Sequence, residues 1–115
     1  MAPITLHAAA ATDTPRREIA ALLQALGASQ CAFFRNGTWY DSNEAESHLK
    51  RKLDYFERKQ LLSSADAFIN DAASRSSMSG KVYQVRCPDQ PAQPSAQWLK
   101  QKLEELRRNG SDSPH

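Results

Sequence analysis

Asn36-Gly37 lies between two short aromatic-rich runs, Phe33-Phe34-Arg35 before it and Thr38-Trp39-Tyr40 after it. A type I′ turn needs positive φ at both central residues, and Asn-Gly adopts that most readily. The dipeptide therefore predicts a β-hairpin with strands over 31–35 and 38–40. Its pairing is antiparallel and local, so the remaining elements must pack against a small sheet that begins here.

The other elements follow from periodicity and end signals. Thr14-Pro15 reads as a helix start, with proline at the first helical position. Ile19, Leu22, Leu23 and Leu26 then share one face, and Gly27 is read as the C′ stop. Asp41 with Glu44 three residues on reads as an acidic capping box. It opens a helix to about Lys59 with Ala45, Leu49, Leu53 and Phe56 inward. Glu46–Lys50 and Asp54–Arg58 have the favourable acid-first i,i+4 order. Ser63 with Asp66 repeats the capping pattern before a shorter helix burying Ala65, Phe68, Ile69 and Ala72.

"KVYQVRC" alternates, with Tyr83, Val85 and Cys87 on one face and Val82, Gln84 and Arg86 on the other, which predicts a strand. Pro88, Pro91 and Pro94 predict a stiff extended connection. Ser95 is read as the cap of a last helix with Trp98, Leu99, Leu103 and Leu106 inward, stopped by Asn109-Gly110. The order is α-β-β-α-α-β-α. The fold class is α+β: a small antiparallel sheet of about three strands, a hairpin plus one, packed against about four helices.

With 115 residues there is material for one core. The expected division is a disordered leader or signal-peptide remnant over 1–13, one α+β domain over 14–109 and a flexible tail over 110–115. The opening "MAPITLHAAAATDTP" offers small residues for a cleavage site but no basic start and only a short apolar run. No apolar run approaches the roughly 20 residues of a membrane span. Fifteen basic residues face thirteen acidic ones, for a net charge of +2. The basic runs Arg16-Arg17, Lys50-Arg51-Lys52 and Arg107-Arg108 are short and have acids nearby, which argues against a nucleic-acid footprint.

"SRSSMSGK", Ser74 to Lys81, has the look of a phosphate site. A Walker loop reads GxxxxGK[ST] between a strand and a helix. Here Arg75 stands where the first glycine belongs, Val82 follows the lysine, and the order is helix then strand. Nucleotide binding by that route is excluded. The remaining readings are weak anion binding through the hydroxyls, Arg75 and Lys81, or a helix-to-strand connection that suits serine and glycine. The connection is preferred, with an unusual backbone conformation at Gly80 and hydroxyls bonded to nearby backbone.

His48 has Glu44 four residues before it and Lys52 four after it, a helical stripe that contains a possible acid–base pair. The simpler reading is a boundary histidine hydrogen-bonded beside the core. No second His or Cys stands at ligand spacing, so no metal and no cofactor is expected. There is no GxSxG elbow. Cys31 and Cys87 form no CxxC. They are compatible either with one disulfide, if their strands pair, or with two small buried thiols.

Taken together, Phe34-Arg35-Asn36-Gly37, Tyr40, Glu44-Ala45, His48-Leu49, Lys52, Phe68-Ile69, Ala73-Ser74, Ser76-Ser77, Ser79-Gly80-Lys81 and Tyr83 resemble the YfeK-like family of small bacterial proteins of unknown function. The resemblance covers about 18–106. Val82 departs from the proline usual after Gly-Lys. The resemblance implies a signal peptide and a periplasmic or secreted location, and in that setting a Cys31–Cys87 disulfide is expected. It implies no activity. It suggests that Arg35-Asn36-Gly37, His48 and the serine loop belong together.

The leading expectation is a non-enzymatic periplasmic binding or interaction protein. It would recognise a small anionic ligand or a protein partner through Arg35, His48, Lys52, Ser74, Ser76, Ser77, Ser79 and Lys81. One rival is a hydrolase using His48 with Glu44 and a loop serine. The other is a purely structural role for the same residues. Residues lining an open cleft favour binding or catalysis; residues buried and mutually satisfied favour structure.

Overall fold

A computed structural model describes the backbone of residues 3–111 and the side chains of residues 14–109. The leader expected over 1–13 and the tail expected over 110–115 fall outside the described side chains. The elements are α1 (Pro3–Ala28), β1 (Ala32–Arg35), β2 (Thr38–Tyr40), α2 (Ser42–Arg58), α3 (Ala65–Ala72), β3 (Gln84–Arg86), β4 (Gln93–Pro94) and α4 (Ser95–Ser111).

The hairpin forms where Asn36-Gly37 predicts it, with φ of 49° and 87° at the two turn residues. β1 then pairs with β3, and the sheet order is β2-β1-β3-β4, antiparallel throughout. The expected three strands are four. The additional β4 is two residues at the sheet edge, pairing Gln84 with Pro94 and Val85 with Gln93. An edge position tolerates proline, which has no N–H to donate, so the proline that marked this segment as a connection does not prevent pairing.

All four helices supply one core against a single sheet face. Ile19, Leu22, Leu23 and Leu26 of α1, Leu49 and Leu53 of α2, Phe68 and Ile69 of α3, and Leu99 and Leu103 of α4 surround Phe33, Tyr83 and Val85. Alternation sends Phe34, Trp39 and Arg86 to the other face. There the Phe34 and Trp39 rings lie 4.9 Å apart, and the Arg86 guanidinium sits 4.1 Å from the indole centroid. The cation thus covers apolar ring surface that no helix covers.

Helix ends depart from the sequence signals where a tertiary contact wins. Pro15 is inside α1 rather than at its first position, and it is buried. Gly27 is also inside α1; its missing side chain admits Glu46 of α2, and its carbonyl accepts the Ser42 hydroxyl at 2.9 Å. The left-handed residue after the helix is Gln30, φ 63°. Asp41 caps α2 as expected, accepting from the Glu44 amide at 2.9 Å. Ser64, not Ser63, caps α3, because its extended backbone aims the hydroxyl at the Ala67 amide. Ser95 is no cap: it is buried within α4 and donates to the Ala73 carbonyl at 2.9 Å. α4 runs past Asn109-Gly110 to Ser111.

The expected Glu46–Lys50 and Asp54–Arg58 pairs are not among the ion pairs of the described residues. Lys102–Glu105 and Arg108–Glu104 pair within α4, and the other pairs link elements. Arg107 of α4 grips both carboxylate oxygens of Glu18 on α1, at 2.7 and 2.9 Å, and reaches Asp66 of α3 at 3.3 Å. The hydrogen bond from Arg107 holds the Glu18 carboxyl below its usual range.

Cys31 and Cys87 form a disulfide, S–S 2.03 Å. The register explains it. Ala32 faces Arg86 and Phe33 faces Val85, so residues 31 and 87 face each other one step further along, with Cα atoms 4.1 Å apart. Closing a loop across a separation of 56 residues stabilises a chain by about 4 kcal/mol in the chain-entropy picture. The Cys31→Ser/Cys87→Ser double variant should lose a large part of that in urea titration; equal midpoints would show that the bridge does not hold the fold.

Candidate functional site

Along β1, residues 33 and 35 point to the helix side of the sheet. The register sets Tyr40 opposite Phe33, and the Arg35 guanidinium lies 4.8 Å from the Tyr40 ring centroid. Facing them is the stripe Glu44, His48, Arg51 on α2, spaced four and three residues and so on one helix face. Between hairpin and helix is an open cleft of about 320 Å³, lined among others by Arg35, Tyr40, Glu44, Ser47, His48 and Arg51, with Phe33 in its floor.

Behind the cleft is a polar cluster centred on Tyr83. The Lys52 ammonium donates to Tyr83 Oη at 3.0 Å and to the Ala72 carbonyl at 2.8 Å, with Arg75 O at 3.4 Å and Ser77 Oγ at 3.3 Å. It therefore sits at the carbonyl end of α3, where the helix dipole favours a cation. Tyr83 Oη is 3.2 Å from His48 Nε2. An ammonium has no lone pair, so Tyr83 Oη accepts from Lys52. The hydroxyl still has a proton to give and a lone pair to offer, so it can meet either tautomer of the His48 ring.

The electrostatics agree with a neutral ring. Burial, followed by the charges of Arg35, Lys52 and Arg51, pushes His48 down to about 4. Burial and then Arg35 lower Lys52. Burial raises Tyr83, with Arg35 opposing. Three cations surround one histidine, and among the described residues Arg35, Arg51 and Lys52 form no ion pair.

The serine segment is a small hairpin-like turn rather than an irregular loop. Ser76 N donates to Lys81 O and Tyr83 N to Ser74 O, both at 2.9 Å, and Arg75 bridges to Val82. Gly80 takes φ 76°, as its residue type predicts. Its hydroxyls are spent on the turn itself. Ser76 Oγ accepts from the Met78 and Ser79 amides, Ser79 Oγ from the Lys81 amide, and Ser74 Oγ donates to Asn70 O. With Gly80 N bonded to Ser76 O, these amides are turned inward and cannot cradle a phosphate.

Of the residues grouped by sequence, His48 and Lys52 meet through Tyr83, and Ser77 accepts directly from Lys52. Arg35 shares the cleft with His48 but makes no bond to the serine turn; its neighbour Asn36 does. Asn36 Nδ2 donates to Ser76 Oγ at 3.4 Å, and Ser79 Oγ donates to Asn36 Oδ1 at 2.8 Å. Lys81 is exposed and away from the cleft lining. His48 bonds neither Glu44 nor a loop serine. Tyr83, Arg51 and Asn36 are the additions. A buried tyrosine hydroxyl needs a partner, and Arg51 falls three residues after His48, so both carried a legible signal. Asn36 is grouped with the serine loop by the family-like pattern, while no local signal pairs it with serines forty or more residues away. Among the described residues no three His, Cys, Asp or Glu side chains gather as a metal site.

Fold and site together define a small two-layer α+β domain with an open cleft whose arginines form no ion pair among the described residues. The chain belongs to DUF5329, a family of unknown function, whose model matches residues 13–107. No curated protein and no solved structure matches it.

Two outcomes are expected. Asn36→Gly keeps the positive φ but deletes both bonds to the serine turn; it should cost about 1 kcal/mol and speed amide exchange at Met78 and Ser79. Unchanged exchange would show that the turn holds without Asn36. His48, lowered from 6.5 to about 4, takes up a proton in the unfolded chain first. Its contribution is therefore complete above pH 6.5 and falls away as pH drops from 6.5 towards 4. His48→Gln should lose less stability across that window than the native protein. An NMR titration of the His48 ring near 6.5 would refute the neutral assignment.

Proposed function

We propose that this is a non-enzymatic binding domain that recognises the anionic group of a small ligand between Arg35 and Arg51. The observation that carries this reading is the pair of guanidiniums, on β1 and α2, lining one cleft with no ion pair of their own. Lys52 stands behind His48 and adds to the same field. Asp41 and Glu44 line the same cleft but pair with neither guanidinium, so a bound anion supplies the direct partner that both cations lack. A planar guanidinium suits carboxylate and phosphate oxygens. The serine turn supports the cleft by fixing Asn36 and Lys52, and its hydroxyls bind the protein itself.

A hydrolytic reading has less support. Ser77 is near Lys52, but the ammonium is engaged by two carbonyls and Tyr83, so it has no free lone pair to take a proton. The disulfide and the pattern shared with the YfeK-like bacterial proteins favour a periplasmic or secreted setting. No helix among the described residues is long and apolar enough to cross a membrane.

An anion in the cleft favours the protonated imidazole. Titrating acetate into the native protein at low ionic strength should therefore raise the His48 pKa from about 4 and shift the Arg35 and Arg51 side-chain resonances. The Arg35→Gln/Arg51→Gln variant should show neither effect. A His48 pKa unmoved by acetate and by inorganic phosphate would overturn the proposal.

A further inference from the structure

We infer that the ligand is dipolar, a short peptide whose terminal carboxylate meets Arg35 and Arg51 and whose terminal ammonium meets Glu44. This rests on the reading that the cleft takes an anion, and it adds what the opposite end of the cleft selects.

Glu44 and Arg51 line the same cleft seven residues apart on α2, about 10 Å at 1.5 Å per residue. Neither belongs to an ion pair among the described residues. A rigid helix holds the two signs apart, so a carboxylate and a guanidinium face one space without neutralising each other. The other carboxylate at this end, Asp41, uses Oδ1 as the helix cap. Glu44 makes no side-chain bond and is exposed at the rim, in the first turn, where the dipole favours its charge.

Between the two ends the lining is neutral and suited to amides. His48, Asn43 and Ser47 line this stretch. The volume, about 320 Å³, is at the lower end of small-molecule sites. A tripeptide spans about 10 Å when extended, which matches the charge separation. A polyphosphate would satisfy the arginines but meet Glu44 as a like charge.

The test uses tri-alanine, its N-acetyl form and its C-terminal amide, each titrated by NMR into the full chain and into Glu44→Gln. The Glu44 side chain bonds nothing among the described residues, so this variant should keep the native amide spectrum away from α2. Tri-alanine should bind, N-acetylation should weaken binding by up to about fivefold, the scale of an exposed ion pair, and the amide should not bind. Glu44→Gln should bind the free and acetylated peptides equally. Equal binding of both to the native chain, with the amide still failing, would refute the dipolar ligand and leave anion recognition standing. Binding of the amide as well as the acid would overturn anion recognition itself. No shift with any of the three probes would overturn the peptide assignment, with the acetate titration then deciding the anion reading.

Discussion

Lys52 is the point at which the architecture converges. Its ammonium leaves the middle of α2, reaches the carbonyl end of α3 at Ala72 and Arg75, touches the serine turn at Ser77 and bonds Tyr83 of the segment leading into β3. Three protons serve four acceptors, and the two longer contacts, at 3.3 and 3.4 Å, share the third. Lys52 is half-buried, and these acceptors replace the hydration that its ammonium loses. One cation thereby ties α2, the end of α3 and the segment before β3 together.

The arrangement around Lys52 also sets the chemistry of the cleft. Tyr83 accepts from the lysine and meets the His48 ring, while burial and the nearby cations favour the neutral imidazole. Arg35, on the hairpin, meets the same cluster from the sheet side and contributes to the lowering of both His48 and Lys52. The positive field is thus a product of scaffold and cleft together. The lysine that secures the scaffold cannot leave, and the two arginines that line the opening have no acid of their own. The bond pattern divides the polar residues accordingly: Ser74, Ser76 and Ser79 are consumed by the turn and its neighbours, whereas Arg35, Arg51 and the Nδ1 side of His48 keep capacity to bind something else.

Much of the fold was legible because it rests on short-range rules. Asn36-Gly37 specified the hairpin, Asp41 the start of α2, and the spacing of Leu22, Leu49, Phe68 and Leu99 the buried faces. The readings that failed are those in which a distant partner competes with a local signal. Ser95 looked like a cap and instead bonds Ala73; Gly27 looked like a stop and instead admits Glu46; Pro94 looked like a connector and forms a sheet edge. For the site, residue types were legible and pairings were not. His48 and Lys52 share a helix stripe, but nothing local says that a tyrosine thirty-one residues beyond Lys52 joins them.

The sequence by itself determined the helix faces, the first hairpin, the positive φ at Gly80 and the absence of a nucleotide loop, because each depends on residues within one turn or one strand of each other. The tertiary structure decided that Cys31 and Cys87 face across the β1–β3 register, that the serine turn closes on Asn36, and that Arg35 and Arg51 come to one cleft without an ion pair. These depend on how strands with partners 50 or more residues apart align, and on where α2 lies against the hairpin. Such relations arise from the packing of the whole core, which no local window of residues contains.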